Sequence, residues 1–275
     1  MVKLADVWSD PEITNWLKLW LAIDETTTVL RQFVDDEMKS FHTDILQFIK
    51  SKLHLPTNAK CTNCLTLNLI KCFTNGICKR DRSGCKTHKT IRHRTCPQNI
   101  CDKFRDEIIK EHRYSNCSWK NTSAEVWADN RWEVAKCYMP PDGYSGVGTS
   151  EDTDFNGIIS VIINCKRFDS KLSFSIAPGA ANPQRVLTKA REIGKKLRHI
   201  TKLKITVTDL QDYFQTLTTL LSDPGVLAHD PNARTAVKNL TEIHNDTFNM
   251  TMEDLTKMLK HAHQETPLKR QLEEC

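Results

Sequence analysis

Nothing in the 275 residues is apolar for long enough to cross a bilayer. The longest runs, around Trp16–Ile23 and Ile158–Ile163, fall well short of the roughly 20 residues a spanning helix needs. The opening segment, MVKLADVWSDPEI, lacks the uninterrupted apolar core of a secretory signal. The expectation is a soluble intracellular protein, cytoplasmic or nuclear, without a membrane partner. Also missing are a Walker loop, a dinucleotide glycine fingerprint, a GxSxG elbow and an HExxH pair; Gly146-x-Gly148 in a turn-rich stretch is too short a match to count. Nucleotide-dependent and serine-hydrolase chemistry therefore have no footing. Aromatic residues make up only 7% of the chain, and no repeat, heptad array or low-complexity tract occurs. Asn116, Asn121, Asn239, Asn245 and Asn249 fit the Asn-x-Ser/Thr pattern, but without an entry signal they read as chance matches in a Ser/Thr-rich sequence.

Cysteine and positive charge are plentiful, and they coincide. Residues 60–120 carry 14 Lys+Arg against 5 Asp+Glu, a local charge of +9, whereas the remainder holds 25 against 29. Eight of the eleven cysteines (Cys61, Cys64, Cys72, Cys78, Cys85, Cys96, Cys101 and Cys117) lie in that same segment. In a reducing compartment, clustered cysteines are better explained as metal ligands than as disulfides.

The rest of the chain has helical periodicity. Asp10-Pro11 is a helix start, and apolar residues from Ile13 to Ile49 recur at helical spacing until about Leu53, where Pro56 stops them. Further helices are expected over 101–113, 128–139, 152–168, 184–200, 208–221, 231–245 and 252–263. The β-branched run in 152–168 also fits a buried strand. Trp16, Trp20, Trp127 and Trp132 fall at core positions, and His261 and His263 read as solvated. Residues 57–97 have no period and read as loop. The organisation expected is N-terminal helices over 1–56, a cysteine-rich basic insertion over 57–120, the remaining bundle over 121–222 and a helical extension over 223–275.

Zinc takes four soft ligands in a tetrahedron, commonly as two pairs on tight turns. Cys61-x2-Cys64 is the sharpest pair, and Cys78, Cys85, Cys96 and Cys101 make a plausible set of four. Cys64-x7-Cys72-x5-Cys78 begins like a CCCH finger, but its last ligand would fall at Arg82. Four thiolates leave no position for an activated water, so such a site is structural rather than catalytic. It would fix a loop bearing Lys79, Arg80, Arg82, Lys86, Lys89, Arg92 and Arg94, a set of cations suited to phosphate backbones. Only Phe73 is at hand for stacking, so sequence-specific reading of single strands is not expected.

NWLKLW, FVDDEMKSFH (33–42), WEVAKCYMP (132–140) and RHITKLKITVTDLQDYF (198–214) resemble segments that occur in the same order in an uncharacterised vertebrate family named for an X-chromosome open reading frame. The resemblance spans roughly residues 11–220. It implies that Cys78, Cys85, Cys96 and Cys101 are the metal set, with Cys61 and Cys64 extra. It points further to the HEPN superfamily of helical domains, which includes metal-independent ribonucleases and binding modules. Their signature is an Arg and a His with four to six residues between them. His199 matches the histidine, but the allowed arginine positions hold Glu192, Ile193 and Gly194; Arg191 and Arg198 are the nearest arginines. The other cations around it, Arg185, Lys189, Lys195, Lys196, Lys202 and Lys204, face Glu192 alone in the linear sequence, a second basic patch in which Lys195, Lys196 and Arg198 are expected nucleic-acid contacts.

The expectation is therefore an all-α, HEPN-like bundle interrupted by a zinc-stabilised basic loop, a non-catalytic module binding RNA with little sequence preference or binding protein partners. The competing readings are a ribonuclease using His199 with Arg191 or Arg198, and a scaffold that pairs helical domains, including as a homodimer.

Overall fold

The computed structural model describes residues 10–56, 59–61, 63–70, 94–176, 184–199, 204–248 and 256; for residues 184, 185 and 199 this extends to the backbone only. Among the described residues eight α-helices run in order: α1 Pro11–Leu53, α2 Thr66–Leu69, α3 Ile100–Glu111, α4 Arg131–Ala135, α5 Phe155–Asn164, α6 Gln184–His199, α7 Val207–Leu221 and α8 Pro231–His244. No strand occurs among the described residues; a single antiparallel bridge joins His112 and Cys165. The chain divides into two units, Met1–Leu30 with Asp169–Cys275, and Arg31–Phe168. The cysteine-rich segment lies wholly in the second.

Helix α1 begins and ends where its residues dictate. The Asp10 carboxylate accepts the Glu12 N–H at 2.9 Å, and Pro11 occupies the first position, where its missing N–H costs nothing. At the other end His54 adopts φ +53°, and the Leu55 N–H reaches back to the Lys50 carbonyl at 3.1 Å. That is the Schellman arrangement, which satisfies a terminal carbonyl just before Pro56 halts the helix. Val34, Met38, Phe41, Ile45 and Ile49, three or four apart, are all buried. Trp16 is buried as expected, whereas Trp20 is only half-buried.

In the Met1–Leu30/Asp169–Cys275 unit, Leu187, Ile193, Leu210, Leu217, Ala236 and Leu240 form an apolar centre. Helices α7 and α8 are capped as their sequences suggest: Thr206 accepts the Asp209 N–H at 3.1 Å, and Asp230 accepts the Asn232 N–H at 2.8 Å. The buried Asp223 carboxylate gathers the Ser173 and Gly225 N–H groups. A Cβ on Gly225 would stand 2.4 Å from the Lys171 carbonyl oxygen, so only glycine fits.

In the Arg31–Phe168 unit, α5 answers the helix-or-strand question. Asp154 caps it by accepting the Gly157 N–H at 2.7 Å, and every residue from Phe155 to Ile163 is buried. An all-buried helix shows no alternation of faces, which is why its sequence also fits a strand. The helix expected over 128–139 is shorter. Asn130 accepts the Trp132 N–H at 2.8 Å and so starts α4 at Arg131, and a 3-10 turn, Lys136–Tyr138, completes it. Trp127 and Trp132 are buried as expected. The helix expected over 252–263 lies outside the described residues, apart from Thr256, which is helical.

Candidate metal centre

Two short segments supply four sulfurs. Cys61 and Cys64 lie ahead of α2, while Cys96 precedes α3 by four residues and Cys101 is the second residue of that helix. All four thiols are buried, and their Sγ atoms lie within 4.8 Å of one another. The turn Cys96-Pro97-Gln98-Asn99 closes with the Asn99 N–H on the Cys96 carbonyl at 2.9 Å. Asn99 takes φ +59°, a conformation Asn tolerates better than most residues.

A polar frame holds the two segments. The buried Asp102 carboxylate accepts the Cys96 N–H at 2.6 Å through one oxygen and the Arg105 guanidinium at 2.6 Å through the other. Across the gap, the Arg94 N–H donates to the Asn68 carbonyl at 3.1 Å, and the Arg94 guanidinium donates to the Asn63 carbonyl. Behind α2, the Thr66 hydroxyl donates to the Thr122 carbonyl and accepts the Ala124 N–H, both at 2.8 Å. The Thr122 hydroxyl in turn donates to the Glu133 carbonyl at 2.6 Å. The Cys101 thiol donates to the Ala124 carbonyl at 3.9 Å, and the Thr122 hydroxyl also lies 3.3 Å from the Glu133 carboxylate, so a polar chain runs from Cys101 to the buried ion pair of Lys136 and Glu133, 2.6 Å apart.

The sulfurs feel both burial and each other. Burial, then the neighbouring Cys61 and Cys96, pushes the Cys64 thiol up to about 12. Cys101 is driven up as well, first by burial and then by the charge of Cys96. At Cys96 burial acts in the same sense, but hydrogen bonds from the Cys101 and Gln98 N–H groups and from Cys61 and Cys64 together hold the thiol below its ordinary value. Cys117 and Cys165 are each raised to about 12 by burial, and Cys137 is fully enclosed. These three behave as small core residues.

Of the expected metal set, Cys96 and Cys101 are in the cluster, whereas Cys78 and Cys85 lie outside the described residues. Among the described residues the cysteines that stand beside Cys96 and Cys101 are Cys61 and Cys64, the pair with the shortest spacing. Sequence reasoning missed Asp102 and Arg105, whose three-residue spacing on one helix face is the signal that marks them as a pair.

The expected nucleic-acid contacts Lys79, Arg80, Arg82, Lys86, Lys89 and Arg92 also lie outside the described residues. Arg94 is described, and its guanidinium ties the two cysteine segments together. On α6, the cations expected to face one acid meet two more from α7. Lys189 pairs with Asp212, Lys195 with Glu192 at 2.9 Å and Lys196 with Asp209 at 3.1 Å. Arg191 and His199 stand eight residues apart on a continuous helix, about 12 Å along its axis at 1.5 Å per residue. Arg198 lies near the end of the same helix, half-buried.

The model of a family described as a domain of unknown function, DUF4559, matches residues 8–275. A mouse (Mus musculus) protein described as an uncharacterized CXorf38 homolog is 22% identical over 204 residues, 74% of this chain and 52% of its own length. The chain thus spans about half the length of this curated relative. No solved structure matches, and among the described residues no helix is long and apolar enough to cross a membrane.

Proposed function

We propose that this chain, which belongs to the DUF4559 family, works as a non-catalytic, HEPN-like helical module that binds RNA through its basic segment and carries a structural zinc in its cysteine-rich region. The observation that carries the reading is the coincidence of charge and sulfur. The cations from Lys79 to Arg94 lie in sequence between Cys64 and Cys96, two cysteines whose sulfurs stand within 4.8 Å. The described residues at the two ends of that stretch are thereby held together, and phosphate contacts depend on position rather than on base recognition.

The departure from the motif supports the non-catalytic half of the reading. A ribonuclease of this type needs a cation and a proton-transferring histidine at one phosphate. Arg191 leaves seven residues before His199, outside the spacing of four to six, and Gly194 at the motif position brings no charge.

The test is binding of single-stranded RNA by the full chain across a salt series, with cleavage followed in the same samples in the presence of chelator. Affinity should fall steeply with salt. Reversing Lys79, Arg80 and Arg82 to Glu should flatten the slope of log affinity against log salt by about 0.7 for each phosphate left without its cation. Unchanged binding in that variant would refute the assignment to the basic segment. Cleavage that disappears in both His199→Ala and Arg191→Ala would refute the non-catalytic reading in favour of an enzyme.

A further inference from the structure

We infer that Cys61, Cys64, Cys96 and Cys101 bind one zinc ion per chain, with Asp102 as the residue that positions Cys96. This rests on the structural-zinc part of the reading above and names the ligands that it leaves open.

The geometry allows a single ion. Four points that all lie within 4.8 Å of one another share a centre no more than about 2.9 Å from any of them, and drawing each inward by about 0.6 Å gives the Zn–S distance of about 2.3 Å. A regular tetrahedron of that radius has sulfurs about 3.8 Å apart, inside the observed limit. An iron–sulfur cluster spreads its thiolates over several irons and needs a wider cage. Cys61-x2-Cys64 and Cys96-x4-Cys101 also follow the usual spacing of two close ligand pairs. The set is closed, because four protein sulfurs leave no position for water or substrate.

Asp102 supplies what bare ligand lists omit. Its carboxylate fixes the Cys96 N–H and is itself fixed by Arg105, so the turn that aims Cys96 is held from behind. Each of the four thiols releases its proton to solvent as it binds, and the 2+ charge of the zinc offsets part of the negative charge left on the buried sulfurs.

The experiment measures zinc in the full chain, purified with zinc under reducing conditions, together with alkylation mapping by mass spectrometry before and after chelation. The expected result is one zinc per chain. Cys61, Cys64, Cys96 and Cys101 should be protected until chelator is added, with the labelling of Cys78, Cys85 and Cys117 unchanged by chelator. Cys101→Ser should lose at least nine-tenths of the zinc, while a Cys78→Ser/Cys85→Ser variant keeps it. Should Cys101→Ser fail to fold, Asp102→Asn decides, with zinc affinity in chelator competition expected to drop 10- to 100-fold. Zinc bound but lost with Cys78 and Cys85 would overturn the ligand assignment and leave structural zinc standing. A metal-free chain, or Cys61–Cys64 and Cys96–Cys101 recovered as disulfides under reducing conditions, would overturn both. RNA binding is read separately and is untouched by any of these outcomes.

Discussion

Residues 59–70 and 94–99 offer little to a hydrophobic core besides Leu69, Ile70 and the cysteines themselves, since Leu65 is exposed and Leu67 half-buried. Between Leu187 and Ile243, by contrast, helices α6 to α8 place a buried apolar residue at every third or fourth position. The first region is ordered by sulfur, carboxylate and carbonyl groups that meet across some 30 residues of sequence. The second is ordered by area removed from water, at about 25 cal/mol per Å². The contrast teaches where each should fail: a heteroatom network gives way with one ion or one proton, whereas apolar packing weakens one side chain at a time.

The largest expected effect comes from the polar network behind the cysteines. Lys136 is 2% exposed in its side chain and pairs with Glu133, so Lys136→Ala strands a buried carboxylate and should cost about 3–5 kcal/mol in urea unfolding. A loss under about 1 kcal/mol would mean that water or another cation reaches Glu133.

Leu217 tests the other region. It is fully buried on α7, and Leu217→Ala should cost about 2–5 kcal/mol. The loss should be the same with and without chelator; a chelator-dependent loss would tie α7 to the metal and break the comparison.

His112 sharpens the account through pH. Burial, then Lys166 and Arg113, lowers its value to about 4, against about 6.5 in an unfolded chain. The unfolded state therefore binds the extra proton between these values. The stability this histidine contributes is complete above about pH 6.5 and lost as pH falls through about 4. Between about pH 7.5 and pH 5, wild type should lose about 2 kcal/mol more than His112→Gln; parallel profiles would show that the ring does not titrate as a buried group.

The smallest effect is a cap. Thr206→Ala removes the oxygen that accepts the Asp209 N–H and should cost about 1 kcal/mol, read as a lowered melting temperature.

The same contrast sets what is legible in the sequence. The extent of α1, α6, α7 and α8 follows from local periodicity and caps such as Asp10 and Asp230, each needing only neighbours within a few residues. Ile158–Ile163 is ambiguous because burial on all sides erases the period. The choice among eight cysteines is open for another reason: which pair meets Cys96 and Cys101 depends on how the intervening chain closes, and spacing alone leaves several partitions. Likewise Asp209 and Asp212 meet Lys196 and Lys189 only once α6 and α7 pack together.

Hydrogen exchange on the full chain, with and without chelator, tests the division most directly. Amides of residues 61–70 and 94–111 should lose protection when the metal is removed, while those of α7 and α8 keep theirs. Equal loss in both regions, or none in either, would contradict it.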